Sequence, residues 1–316
     1  MCLVLLTRPI TLRDDGFVYV PRNASILTAL DSVQAHANVV APWLARLAAR
    51  VIGRTSNRSV HAGWYKLDSA ARTIDAITML FSAAQRPAVR VTLPEGVTIY
   101  EMASILARTA EVDSARFVAW CTSSEVTQDA NLDAASMEGY LMPDTYDVHW
   151  REEAEVVGNM LHTTFLRRWT RDIVPLLSNG ERTQHQLLTL ASIVQAEAAV
   201  EDEMERIAGV YVNRLNIGMK LEADPTVQYG LGRRHRVLYN HLESESPYNT
   251  YRHTGLPPGP INNPGIAAIR AAIKPEAHHY LYFVAHGDGS GRHRFASSGA
   301  EHVRNVGLYR RRRAGR

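Results

Sequence analysis

The chain has almost no cysteine. Cys2 and Cys121 are the two in 316 residues, far apart and outside any CxxC or Cys/His ligand spacing, which excludes a zinc ribbon and a disulfide framework. The compartment stays open, because a large domain exported to an oxidising space can fold without bridges. Long hydrophobic runs are missing near the start: Cys2–Leu6 is too short to span a bilayer or to form a full signal-peptide core. The sequence therefore predicts either a protein soluble where it is made or one whose anchor lies upstream. Charge of one sign is scarce as well. The formal net charge is +3, and part of the excess sits in Arg310–Arg313 and Arg316, so no nucleic-acid partner is demanded. The 13 histidines include no HExxH pair. His278 and His279 are adjacent, and His235, His241 and His253 fall in loop-like sequence, so no metal site is predicted. A serine hydrolase lacks its GxSxG, and Gly287–Gly291 (GDGSG) precedes no helix start, which makes it a chain turn rather than a phosphate cradle.

What remains is ordinary globular material, 46% hydrophobic and 21% charged, with length for two domains and no composition that suggests disorder or a fibre. Two stretches in the front half match each other, VYVPRNASI (Val18–Ile26) and VTLPEGVTI (Val91–Ile99). In each, alternating apolar residues run to a proline that ends a strand, and Ser25 or Thr98 stands at a helix start. Thr98 and Glu101 have capping-box spacing. The pair reads as a duplicated βα unit or as two junctions that reuse the same residue types. Further helices are predicted over 42–52, 73–81 and 115–121, with a short extended segment over Ser59–Asp68. Trp64 and Tyr65 within it fill core or stack on sugar rings. The polar stretch 122–136 and the Gly- and Pro-punctuated stretch 138–148 are predicted as loops, the latter one that lines a site.

A helix from Glu152 to about Trp169 is separated by Ser178-Asn179-Gly180 from the helix that carries LASIVQAEAAV (Leu190–Val200). At about 100° per residue, Leu187, Leu190, Ala191, Ile193, Val194 and Glu197 share one face, while Gln195 points away and is expected to meet water. A carboxyl among aliphatic side chains has its charged form disfavoured, and a pKa raised toward neutrality suits a general acid. The alternative is a helix-end Glu197 that bends its stem to solvent. A further helix, Glu201–Asn216, is stopped by Gly218. After it, 221–232 and 246–265 read as loops. Asp224, Thr226, Tyr248, Asn249, Thr250 and Tyr251 offer hydrogen-bonding groups and aromatic faces there, on a backbone stiffened by Pro257, Pro258, Pro260 and Pro264. This suits a polar, ring-shaped ligand or a structural loop held by Asx turns. Tyr280–His286 and Arg292–Ala296 form a predicted hairpin.

EGYLMPDTY, ASIVQAE, VNRLNIGMKLEADPTVQYG, YNTYRHTGLPPGPINNPG and YLYFVAHGDGSGRHRF, in this order from Glu138 on, resemble the endolytic murein transglycosylase, or YceG-like, family. The resemblance implies an α+β chain: a leader or truncated anchor region over 1–16, a LysM-like region with two βα units over 17–137, a catalytic domain of helices and a β-hairpin over 138–309, and a basic tail over 310–316. It implies cleavage of the β-1,4 bond between N-acetylmuramic acid and N-acetylglucosamine inside peptidoglycan strands, leaving 1,6-anhydro ends, with no cofactor or metal. Glu197 occupies the catalytic position, and Gln195 stands where the family has a first glutamate. Asp224, Thr226, Tyr248, Asn249, Thr250, Tyr251, Glu138 and Asp144 are the implied substrate-binding residues. The implied place is the inner membrane facing the periplasm, with peptidoglycan strands as partner, synthases as further partners, and membrane contact only through an anchor absent from this sequence. A non-catalytic glycan-binding protein of the same fold is the alternative.

Overall fold

The computed structural model describes residues 5–14, 16–21, 23–39, 41–55, 60–81, 88–177, 182–232 and 237–314. Cys2, Ser59, the Ser178–Gly180 breaker, His235 and Arg316 lie outside the described residues. The architecture is mixed, with helices and, among the described residues, four two-stranded sheets. The chain divides into two compact units: residues 1–91 with 106–113 and 146–153, and residues 92–105 with 114–145 and 154–316. The division does not follow a single cut at 137, because the chain crosses between the units several times.

In the first unit, β1 (Thr11–Leu12), β2 (Phe17–Val20) and helix α1 (Ile26–His36) come first. They are followed by β3 (Ala37–Asn38), α2 (Pro42–Thr55), β4 (Gly63–Lys66) and α3 (Thr73–Met79). β1 pairs antiparallel with β3, and β2 with β4 in the register Val18↔Tyr65 and Val20↔Gly63. α1 begins where Ser25 Oγ accepts the Thr28 N–H at 3.1 Å, the cap its sequence predicts. The core gathers Val18, Val20, Leu30, Val33, Tyr65, Ile77 and Leu80, all almost wholly out of water. Tyr65 is part of that core and satisfies its hydroxyl on the His61 carbonyl at 2.7 Å, whereas Trp64 is half-buried against the Tyr19 ring. Ile10, 3% exposed, belongs to the same core, and Thr11–Leu12 to a sheet.

The chain continues through β5 (Ala88–Thr92), α4 (Ile99–Ala110), α5 (Ser114–Cys121), α6 (Ser124–Asp129) and β6 (Thr145–His149), with β5 pairing β6. Two predicted loops hold elements. α6 forms inside 122–136 because Ser123 caps the Val126 N–H at 3.5 Å and Thr127 is buried, and β6 occupies the end of 138–148. The capping box at α4 is present: Glu101 Oε2 accepts the Thr98 N–H at 2.8 Å and Thr98 Oγ1 accepts the Glu101 N–H at 3.2 Å.

The rest of the second unit is α7 (Ala154–Arg168), α8 (Gln184–Glu197), α9 (Met204–Asn216), α10 (Asp224–Gly230) and α11 (Ile266–Ile273). The hairpin β7 (Tyr282–Ala285) and β8 (His293–Ala296) and the helix α12 (Gly299–Ala314) close it. α7 runs on into a wider π turn, Trp169–Ile173, and a 3₁₀ turn, Val174–Leu176. α10 occupies what reads as loop: Pro225 is harmless in a first turn, where its missing N–H would have had no partner. Arg310–Arg313 lie in the last turns of α12, so this part of the basic run is helical. The hairpin matches its prediction, with Phe283 opposite Phe295 and Val284 opposite Arg294. Among the described residues no helix is long and apolar enough to cross a membrane.

Candidate active site

α8 positions the site. It starts in a reciprocal cap, Thr183 Oγ1 accepting the Gln186 N–H at 3.2 Å and Gln186 Oε1 accepting the Thr183 N–H at 3.0 Å. It packs along α11 and α9, and every residue from Leu187 to Val194 is buried. Each of its large aliphatic side chains contributes roughly 1.5–3 kcal/mol by leaving water. The helix has no solvent face over these two turns, and this corrects the helical-wheel expectation for Gln195. That side chain is half-buried: its Oε1 accepts the Gly265 N–H at 2.9 Å, and its stem lies against Gly96. Gly96 has φ +76°, and a Cβ there would come within 3.1 Å of Gln195 Cγ, two reasons for the missing side chain.

Glu197 is the last residue of α8; Ala198 turns extended, and a 3₁₀ turn, Glu201–Glu203, leads directly into α9. The residue is half-buried, and its carboxyl is so poorly reached by water that its pKa is pushed up to about 7. The buried Tyr211 on α9 donates its hydroxyl to Glu197 Oε1 at 3.1 Å and pulls the other way, the Asp224 charge raises the pKa further, and the Arg214 charge lowers it. Tyr211 is fixed by edge-on contact with the Phe283 ring, centroids 5.9 Å apart. Arg214, 7% exposed, donates from Nε to the Leu281 carbonyl at 2.6 Å and from Nη1 to the Leu221 carbonyl at 2.8 Å. It therefore ties β7 and the turn before α10 to the helix that carries Tyr211. The sequence alone singles out neither Tyr211 nor Arg214. The available signal for Tyr211 was that a tyrosine on a buried face needs a partner for its hydroxyl.

The implied substrate-binding residues divide. Asp224, exposed at the start of α10, accepts the Tyr251 hydroxyl at 2.7 Å. Thr226, Asn249 and Thr250 are buried beneath them. Thr250 Oγ1 accepts the Ala223 N–H at 3.0 Å and shares a 2.9 Å hydrogen bond with Thr226, while Asn249 Nδ2 donates to the Leu242 and Ser244 carbonyls. These three hold the loop that presents Asp224 and Tyr251. Tyr248 is half-buried with its ring 4.8 Å from that of Tyr229. Glu138, 2% exposed, accepts the Ile99 N–H at the start of α4 at 3.1 Å and the Asn263 amide at 2.8 Å, so its carboxylate is taken up inside the fold. Asp144 is exposed and lies 3.7 Å from Arg168.

Asn263 is the hub of this framework. Its Oδ1 accepts the Gly139 N–H at 2.9 Å and the Leu141 N–H at 3.2 Å, and its Nδ2 donates to Glu138 and to the Val97 carbonyl. Gly139 has φ +87° and a Cβ there would overlap Pro260, which accounts for glycine in the EGYLMP stretch. A cleft of about 680 Å³ opens beside α8, lined by Thr98, Tyr100, Glu101, Gln228, Tyr229 and Asn262 among others, with Ala196 and Pro225 in its wall. Glu197 and Asp224 are the chain neighbours of these last two. Among the described residues no group of three or more His, Cys, Asp or Glu side chains is arranged to hold a metal ion. The site thus offers one carboxyl poised between protonation states beside a polar and aromatic cleft.

The YceG-like family model matches residues 18–307. The endolytic murein transglycosylase of Bacillus subtilis is 33% identical, over 72% of this chain and 68% of that protein. The endolytic murein transglycosylase of Streptococcus pneumoniae serotype 2 is 28% identical over 78% of this chain, which spans about half, 50%, of that relative's length. The crystal structure of a YceG-like protein from Listeria monocytogenes superposes with a TM-score of 0.60 at 27% identity, covering 91% of this chain and 98% of that one. A match over nearly the whole chain, joined to agreement in fold, assigns it: the chain belongs to the YceG-like family.

Proposed function

We propose that this chain is an endolytic peptidoglycan lytic transglycosylase, cutting the bond from N-acetylmuramic acid to N-acetylglucosamine within glycan strands, with Glu197 as its acid and base. The observation that carries the reading is a single carboxyl with a pKa pushed up to about 7, on the helix whose Ala196 lines a cleft of about 680 Å³. At neutral pH such a group is populated in both states, so it can give a proton and take one back. Protonated Glu197 donates to the glycosidic oxygen as the C1–O4 bond breaks. The resulting carboxylate then accepts the proton of the muramic acid 6-hydroxyl as that oxygen bonds to C1. The proton count closes, and no water is consumed. Ordinary glycosidases use a second carboxylate to activate water or to attack the sugar; here the nucleophile is built into the substrate.

Tyr211 holds Glu197 by one oxygen, which leaves the other for the sugar. Asp224, oriented by Tyr251, supplies negative charge for the oxocarbenium-like transition state. Tyr100 and Tyr229 in the cleft wall offer ring faces to sugars. The first unit is read as a LysM-like module that grips the strand. The working place is the periplasmic side of the inner membrane, where the substrate exists and peptidoglycan synthases supply new strands. Digestion of uncrosslinked glycan strands tests the activity. Wild type should release internal fragments that are unaffected by chelator, and Glu197→Gln should release none; undiminished cutting by the variant removes Glu197 from the mechanism.

A further inference from the structure

One face of α2 has no role in the site or in the core. The helix PWLARLAARVIGRT contains no acidic residue. Its inward side chains, Leu44, Ala45 and Ala49, are buried in the first unit. On the opposite side Trp43, Leu47 and Val51 are 63%, 52% and 52% exposed. A rotation of about 100° per residue puts these three and Arg46, Arg50 and Arg54 in one arc of roughly 140°. Leu47 and Val51 lie toward one edge of the arc, Arg46 and Arg50 toward the other, and Trp43 and Arg54 between them. Arg46 is held by Asp31, while Arg50 and Arg54 make no ion pair among the described residues. Both also line an open groove of about 650 Å³ whose other walls include Ile26, Val60 and Phe81.

Three large apolar side chains standing in water at i, i+4 and i+8 are costly unless something covers them. The covering surface must accept apolar groups and, immediately beside them, a line of fixed positive charge with no negative charge in between. An anionic bilayer surface has both properties: lipid phosphates at the level of the arginines and acyl chains just below, with tryptophan favoured at the boundary. We propose that α2 is a membrane-surface docking element that lies flat on anionic phospholipid, with Trp43, Leu47 and Val51 inserted and Arg50 and Arg54 on the headgroups. The helix carries enough apolar surface for reversible contact and is far too polar to span. The proposal does not rest on the catalytic reading, since none of these residues belongs to the unit that carries Glu197.

The test is flotation of the full chain with vesicles of phosphatidylcholine alone and of phosphatidylcholine containing about one third phosphatidylglycerol. The chain should float with the anionic vesicles, bind the neutral ones at least tenfold more weakly, and lose binding as salt rises. Arg50→Gln with Arg54→Gln should weaken binding to anionic vesicles about 25-fold, at about fivefold per basic residue. Trp43→Ser with Leu47→Ser should weaken it comparably while leaving unfolding midpoints unchanged, because the side chains are exposed. Absence of binding to anionic vesicles, equal binding to both vesicle types, or full binding by either double variant overturns the proposal. So does a dimer of the wild type that Trp43→Ser dissolves, which would make the face a contact between copies.

Discussion

Replacing Glu197 by Gln separates the electrostatic claim from the chemical one. Glu197 has a pKa of about 7 in the fold, against 4.5 for an unperturbed glutamate, chiefly because burial disfavours its ionised form. Between these values the folded state holds a proton that the unfolded chain has given up, so stability falls as pH rises from about 4.5 to about 7 and then levels off. The full effect is on the order of 3 kcal/mol, of which somewhat under 1 kcal/mol is already present at pH 5. Gln cannot ionise, keeps the side-chain length and still accepts the Tyr211 hydroxyl. The variant should therefore be within about 1 kcal/mol of wild type at pH 5 and more stable by about 2 to 3 kcal/mol at pH 8. Urea unfolding at the two pH values, with equal slopes for the two proteins, reads the difference. Cutting should meanwhile fall by about 10² to 10⁴. A stability difference that does not change between pH 5 and pH 8 would refute the raised pKa, and with it the reason for choosing this carboxyl.

Three further perturbations have expected outcomes. Tyr211→Phe removes the hydrogen bond that favours the carboxylate, so the Glu197 pKa rises and the alkaline limb of the cutting profile should move to higher pH; a limb that moves down or stays fixed contradicts the contact. Gln195→Glu keeps an acceptor for the Gly265 N–H but adds charge near Glu95, whose pKa is already raised by burial and by repulsion from Glu201. Activity should stay within about tenfold and stability should drop by about 1 kcal/mol, and a loss as deep as that of Glu197→Gln would move the catalytic role to position 195. Asn263→Ala breaks four hydrogen bonds at the hub, three of them buried, and should cost about 3 to 4 kcal/mol in denaturant unfolding, whereas a loss under about 1 kcal/mol would show that the loop holds without it.

Local rules made much of the fold legible. Ser25 and the Thr98–Glu101 pair sit where their hydrogen-bonding side chains predict helix starts, and the alternation in Tyr280–His286 and Arg292–Ala296 gives the hairpin. α6 and α10 were hidden because short helices composed of Ser, Glu, Thr, Asp and Pro look like loops until a capping residue or a buried threonine is recognised. Glu197 stood out because a carboxyl among aliphatic residues is anomalous on one strand of sequence. Its neighbours were less accessible: the wheel gives Gln195 a solvent face only if the helix has one, and α8 is covered by α9 and α11. Thr226, Asn249 and Thr250 have the chemistry of ligand contacts, and nothing in their spacing tells that their hydrogen bonds are spent on the backbone beneath Asp224. Tyr211 and Arg214 act across tertiary contacts that no local pattern encodes.

The most direct measurement is the mass of the new sugar ends when uncrosslinked strands are cut in water enriched in ¹⁸O. Intramolecular attack by the 6-hydroxyl consumes no water, so every new muramic acid end should be the 1,6-anhydro form, about 18 Da lighter than a hydrolysed end and free of ¹⁸O. Reducing ends that carry ¹⁸O would show water as the nucleophile and contradict the transglycosylase mechanism.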